Sequence, residues 1–237
     1  MLLHKKLFYR TLVAFLGIGF LSQCFASGVG INATRVIFTE GNESASVTIR
    51  NKTTDESYLV QSYMTGTQQN GSAPFEVLPP MFRLGPDSRN EVRIVEKNHQ
   101  LPKDRESVFY FHARAISASN GKTEGKENNG VIKIALENVI KVFYRPKNLP
   151  SSPEKAQSGL VFESVSGGFK VKNPSPYYIN LTKMTVNNKS IPLSIEKNNA
   201  MIMPFGEIFY ATPNNKGKVT WSTINDLGGH NEYNQKI

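Results

Sequence analysis

The 237-residue chain has one cysteine, one tryptophan, four histidines and no apolar run of membrane-crossing length. The cysteine, Cys24, falls in an N-terminal stretch built like a cleaved secretory leader. Lys5, Lys6 and Arg10 precede an apolar run from Thr11 to Leu21, and Ser22-Gln23-Cys24-Phe25-Ala26 follows with small residues at the −3 and −1 positions. The run is about half of the ~20 residues a bilayer-spanning helix requires, which argues against a permanent anchor. Gln23, where a lipobox has a small residue, argues against a lipoprotein. Cleavage after Ala26 is expected to leave a mature chain with no cysteine and no membrane span. An exported chain without disulfides must be held by core burial, which argues against a small stapled scaffold and fits a bacterial periplasm.

Concentrated charge is also lacking. The leader takes three cations and no anion with it, so the formal +9 of the full chain falls to +6. The remaining lysines and arginines are scattered, which disfavours nucleic acid as a partner. The mature histidines, His99, His112 and His230, stand far apart without cysteine or paired-carboxylate spacing, so no metal site is expected. No Gly-x-Ser-x-Gly elbow or P-loop occurs, and Gly28-Val29-Gly30-Ile31-Asn32-Ala33 matches a dinucleotide fingerprint without the strand and helix that would give it meaning. His112 alternates with Tyr110 and Arg114 and reads as a structural strand histidine. No enzyme activity and no cofactor are expected. Five Asn-x-Ser/Thr triplets, starting at Asn32, Asn42, Asn51, Asn180 and Asn188, read as chance occurrences in an Asn-rich chain rather than as marks of glycosylated export.

What the chain does have is short β-rich segments between turn residues. Arg35 to Phe38, Ser46 to Arg50, Tyr58 to Tyr63, Phe75 to Leu78, Glu91 to Val95, Ser107 to Ile116 and Val131 to Tyr144 are bounded by Gly, Asn, Asp and Pro, with no helical period. Seven such segments predict an antiparallel, immunoglobulin-like sandwich. The proline-rich stretch 146–153 reads as a stiff linker. A second set of strands follows it: Leu160 to Ser164, Phe169 to Lys172, Tyr177 to Met184, Met201 to Met203, Ile208 to Thr212 and Lys218 to Ile224. The fold is therefore all-β, with a leader at 1–26, a first domain at 27–145, the linker, and a second domain at 154–237.

Val131 to Arg145 is too long for a typical strand, and one face, Ile132, Ile134 and Leu136, is entirely aliphatic. On pattern alone that row reads as a core face. The end of the same strand, Ile140-Lys141-Val142-Phe143-Tyr144-Arg145-Pro146, resembles the close of the first domain in PapD-like periplasmic pilus-assembly chaperones. Leu101-Pro102-Lys103-Asp104-Arg105-Glu106-Ser107-Val108-Phe109 resembles the family signature. So do Ala33-Thr34-Arg35-Val36-Ile37-Phe38, Asn173-Pro174-Ser175-Pro176-Tyr177-Tyr178 and Ile224-Asn225-Asp226-Leu227-Gly228, all in family order. His112 departs from the signature, which usually has Asn there, and is expected to alter a local hydrogen bond.

The resemblance implies two immunoglobulin-like sandwiches arranged as a boomerang. It implies a function in which Ile132, Ile134 and Leu136 complete a pilus subunit that lacks its own last strand, by strand addition. Arg35 and Lys141 map onto the cations that anchor the subunit's terminal carboxylate, a planar fork beside a point charge. Since Leu136 and Lys141 are five residues apart, a regular strand puts them on opposite faces, and a twist or bulge at Glu137-Asn138 is required if both touch one subunit. Glu106, Arg145 and Asp226 match a charge trio that orients the two domains. The implied partners are pilus or fimbrial subunits and an outer-membrane usher, with self-association covering the donor strand as a further expectation. The loop from Ser117 to Gly130 is short by family standards, and with the missing cysteine pair it implies the short-loop subclass. Two alternatives compete. A secreted immunoglobulin-like pilin or adhesin would carry an alternating N-terminal extension and a disulfide, and neither is visible; a secreted hydrolase would turn over simple esters or peptides.

Overall fold

A computed structural model describes residues 28–67, 71–97, 100–117 and 135–237. The expected leader, His99, Ile132, Ile134 and most of the Ser117–Gly130 loop therefore lie outside the described residues.

The first sandwich contains β1 (Val29–Ile31), β2 (Arg35–Thr39), β3 (Ser44–Asn51), β4 (Tyr58–Thr65), β5 (Phe75–Leu78), β6 (Met81–Leu84), β7 (Arg89–Glu96), β8 (Ser107–Ser117) and β9 (Ala135–Arg145). One sheet runs β1-β3-β7-β5 and the other β2-β9-β8-β4-β6. Alternation dictates what lies between them: Val47 and Ile49 on β3, Val92 and Ile94 on β7, Phe111, Ala113 and Ala115 on β8 are buried while their neighbours face out. Phe38, Phe75 and Phe109 join edge to face across this core, with ring centres 5.1 and 5.2 Å apart.

The second sandwich contains α1 (Pro153–Ser158), β10 (Val161–Val165), β11 (Gly168–Lys172), β12 (Ile179–Val186), β13 (Lys189–Ser190), β14 (Met201–Ile202), β15 (Glu207–Ala211), β16 (Lys218–Ile224) and β17 (His230–Lys236). Its sheets are β10-β11-β15 and β13-β12-β16-β17, with β14 pairing β12. The core is separate from the first and centres on Phe169, Met184 and Trp221, whose indole N–H donates to the Gln157 carbonyl at 3.0 Å.

Two expectations change. The first sandwich is not wholly antiparallel, because β2 runs parallel to β9 with Arg35 opposite Lys141. Nor does β9 bulge at Glu137-Asn138: its pairing with β8 is continuous from Ile116↔Ala135 to Ser107↔Tyr144. The same asparagine device closes a turn in each domain. The Asn51 amide donates to the Glu56 and Gly85 carbonyls and its oxygen accepts from Thr53; Asn173 does the same with Tyr177, Met203 and Ser175. Asn51 and Asn180 are buried, so their Asn-x-Thr triplets are structural rather than sugar acceptors.

Candidate functional site: a cleft beside a bare strand edge

On its β2 side, β9 is paired only from Lys141 to Arg145. Among the described residues no strand pairs with Ala135–Ile140 on that side; the one tether is the Asn138 amide, which donates to the Val29 carbonyl at 3.1 Å. Along this six-residue stretch every second residue thus turns unpaired backbone groups to the bare edge, the arrangement that templates another strand. The edge is also apolar at its side chains, since Leu136 is 54% and Val139 47% exposed. Leu136 shares a face with Ile140, Val142 and Tyr144, which turn toward the core. Of the three residues expected on the donor row, only Leu136 is described, and it is not a core residue.

Where β2 begins, the bare edge ends, and both predicted cations stand there. Arg35 opens β2 and Lys141 lies opposite it in register. Both are half-buried, and neither forms an ion pair with any described residue. Burial lowers the pKa of Lys141, and the neighbouring Arg35 lowers it further. Burial also lowers Arg35, although Asp226 and Glu106 pull the other way. Arg35 donates to the Ile224 carbonyl of the second sandwich at 3.2 Å and lies over the Phe143 ring at 5.5 Å, while its Nε is buried with no hydrogen-bond partner. Two desolvated cations side by side, one with a spare donor, form a site that an anion relieves.

The predicted trio is brought together. Arg145 Nε donates to Glu106 at 2.7 Å, and Nη1 and Nη2 donate to the two oxygens of Asp226 at 2.6 and 2.9 Å. The second oxygen of Glu106 accepts from the Tyr178 amide at 2.8 Å, so the carboxylate on the first sandwich is engaged from both domains. Glu106 is 3% exposed, which makes this a buried pair rather than a surface one. Burial pushes its carboxyl up against the pull of Arg145 and the Tyr178 N–H. Burial alone would lower Arg145, but its bonds to Asp226 and the two carboxylate charges outweigh that and raise it. Sequence reading missed the rest of this seam. Phe143 meets Tyr178 at 5.8 Å, Arg105 lies over Phe205 at 4.9 Å, and the Glu106 amide donates to the Pro176 carbonyl at 2.9 Å. In the β16–β17 turn, Gly228 has φ +83°, and a Cβ there would strike the Thr34 hydroxyl of the first domain. All of these residues except Phe205 lie within the motifs that carry the resemblance, but the motifs name no contact between them; only the pairing of the domains makes them neighbours.

Residues 28–150 match the family described as "Pili and flagellar-assembly chaperone, PapD N-terminal domain", and residues 155–235 match "Pili assembly chaperone PapD, C-terminal domain". The chain is 34% identical over 227 residues to the chaperone protein FocC of Escherichia coli, covering 94% of this chain and 96% of that one. It is 35% identical over 208 residues to the chaperone protein LpfB of Salmonella typhimurium, covering 86% of each. Among solved structures it resembles the periplasmic chaperone SfaE, with a TM-score of 0.73, 32% identity and coverage of 87% of this chain and 97% of that one. It also resembles a structure of the Salmonella enterica SafA pilin in complex with the SafB chaperone, with a TM-score of 0.76, 27% identity and coverage of 90% and 98%. These likenesses are to chaperones, which form no enzyme class, and they do not support the pilin or adhesin alternative. Two family domains that together span nearly all the described residues, with the two-sandwich fold they specify, place this chain in the PapD family of pilus-assembly chaperones.

Proposed function

We propose that this protein is a periplasmic chaperone that captures pilus subunits by adding β9 to an incomplete subunit sheet, and that it passes them to an outer-membrane usher. The observation that carries the reading is the placement of Arg35 and Lys141 at the point where the bare edge of β9 stops. A guest strand lying along Ala135–Ile140 cannot continue past Lys141, because β2 occupies the edge from there on. If its terminal carboxylate is bound at the two cations, the guest ends where β2 begins and therefore runs parallel to β9. Its C-terminus and the N-terminus of β2 then meet end to end on one edge. The anchor sets register, while Ile132, Ile134 and Leu136 fill the subunit's open groove.

Opposite faces for Leu136 and Lys141 are compatible with this reading, since a strand added at an edge meets both faces of β9. The Glu106–Arg145–Asp226 trio would hold the second domain at the angle that keeps the cleft open to the subunit. Export to the periplasm rests on the leader expected at 1–26. Co-expression with a fimbrial subunit from the same operon, followed by purification, tests the reading. Arg35→Ala and Lys141→Ala are each expected to abolish the complex with an unchanged circular dichroism spectrum. Recovery of the complex with both variants would overturn the anchor.

A further inference from the structure

Among the described residues, Ala135–Ile140 is a strand arm with a neighbour on one side only, and several of its side chains are exposed. Such an arm buries little apolar surface and would be expected to fray. A second set of contacts, running across the strands rather than along them, holds it. Arg114 of β8 lies opposite Glu137 of β9, and Tyr63 of β4 lies opposite His112 of β8. On this shared face the Tyr63 hydroxyl donates to Glu137 Oε1 at 2.7 Å, Arg114 Nη2 approaches the same oxygen at 3.3 Å, and His112 Nδ1 faces it at 3.5 Å. The three partners also hold one another. Arg114 donates to the Tyr63 hydroxyl at 3.2 Å, and the His112 ring stacks on Tyr63 with centres 4.6 Å apart and 7° between planes. His112 Nε2 is within hydrogen-bond distance, 2.9 Å, of the Thr65 hydroxyl on β4.

We propose that Tyr63, His112, Arg114 and Glu137 form a clasp that holds the bare arm of β9 extended and in register before a subunit arrives. The clasp rests on the reading of β9 as the donor strand, and its members are positioning residues. Its placement fits that role. Glu137 adjoins Leu136 but lies on the opposite face, so the clasp grips the arm without covering the aliphatic row. It spans three strands, so a displacement of the arm breaks contacts to β4 as well as to β8. The Tyr63 hydroxyl is the largest influence on Glu137 and lowers its pKa; burial, next in size, opposes it, and Arg114 adds to the lowering. A docked arm that is already extended spares the subunit the cost of ordering it.

The test compares wild type with Glu137→Ala, Glu137→Gln and Tyr63→Phe in the full-length protein. Hydrogen exchange at Ala135–Ile140 is measured without a subunit, and capture of a urea-denatured fimbrial subunit from the same operon is followed by stopped flow. The amides of the arm are expected to exchange faster in Glu137→Ala, with the melting temperature little changed, and capture is expected to slow about three- to tenfold. Glu137→Gln retains a carbonyl acceptor for Tyr63 and Arg114 and is expected to restore both; Tyr63→Phe is expected to fall between. Unchanged exchange in Glu137→Ala would overturn the clasp. Faster exchange with unchanged capture would overturn its role in donation. If wild type itself captures no subunit, the donor-strand reading fails and the role of the clasp fails with it, an outcome distinct from the other two.

Discussion

Lys141 carries a charge that its surroundings disfavour, and the free protein bears that cost. Its pKa is lowered by burial and then by Arg35, so the folded protein releases this proton at a lower pH than the unfolded chain. Between the two values the unfolded state holds more protons at this site, and the contribution of Lys141 to stability therefore rises with pH across the window just below the ordinary lysine value. Below that window the cost is fully present. Lys141→Met is expected to remove this contribution, read as the difference between wild type and variant in denaturant titrations from about pH 8 to about pH 11, and to raise the subunit-free melting temperature by about 1–3 °C. A stability gain coupled to loss of subunit capture would mark Lys141 as retained for binding. Arg145 is the opposite case. It stands between the buried Glu106 and the more exposed Asp226, and without it Glu106 is left buried and unpaired. Arg145→Ala is expected to cost about 3–5 kcal/mol in chemical denaturation, whereas Asp226→Asn, which removes a more exposed partner, is expected to cost about 0–1 kcal/mol.

At the scale of elements, the long strands were legible because one face of each is buried and the other is not. β3 and β7 alternate through their centres and β8 alternates from Phe109 to Ala115, and the sequence alone places them. β1 is three residues long, and β17, His230–Lys236, is largely polar and is held by its ladder to β16 rather than by a hydrophobic pattern. α1 starts at Pro153, the last residue of the stretch that reads as linker, and its remaining residues fall before the first strand expected in the second domain. Six residues show no period, and its signal is the Ser152 cap, whose hydroxyl accepts from the Lys155 amide at 3.3 Å. The partial cover of β9 by β2 was not legible, because nothing local says that a strand pairs over half its length. That partial cover gives Leu136 its meaning. Leu136→Glu is expected to weaken subunit capture tenfold or more, from the loss of about 1.5–3 kcal/mol of apolar burial, with no change in melting temperature. Unfolding of the variant would return Leu136 to the core.

At the scale of the molecule, the site exists only where two separately folded cores meet. Arg35 reaches the Ile224 carbonyl, Arg145 reaches Asp226, and the Tyr178 amide reaches Glu106, so Arg35, Glu106 and Arg145 of the first sandwich touch the second and Lys141 adjoins Arg35. Sequence alone cannot bring Arg35 beside Lys141, which are far apart in the chain. The likeness to chaperone motifs supplied that pairing, and the parallel register of β2 on β9 gives it a geometry. Tyr63, Arg114 and Glu137 stayed invisible because each is an ordinary outward residue of its own strand. Subunit capture as proposed turns on a chain-terminal carboxylate bound at the junction of β2 and β9. Its most direct test is a binding cycle with one subunit prepared twice, with a free and with an amidated C-terminus. Amidation is expected to weaken binding to the wild-type protein tenfold or more, and to have no further effect on the Arg35→Ala/Lys141→Ala variant. Equal binding of the two subunits to the wild-type protein would contradict the claim.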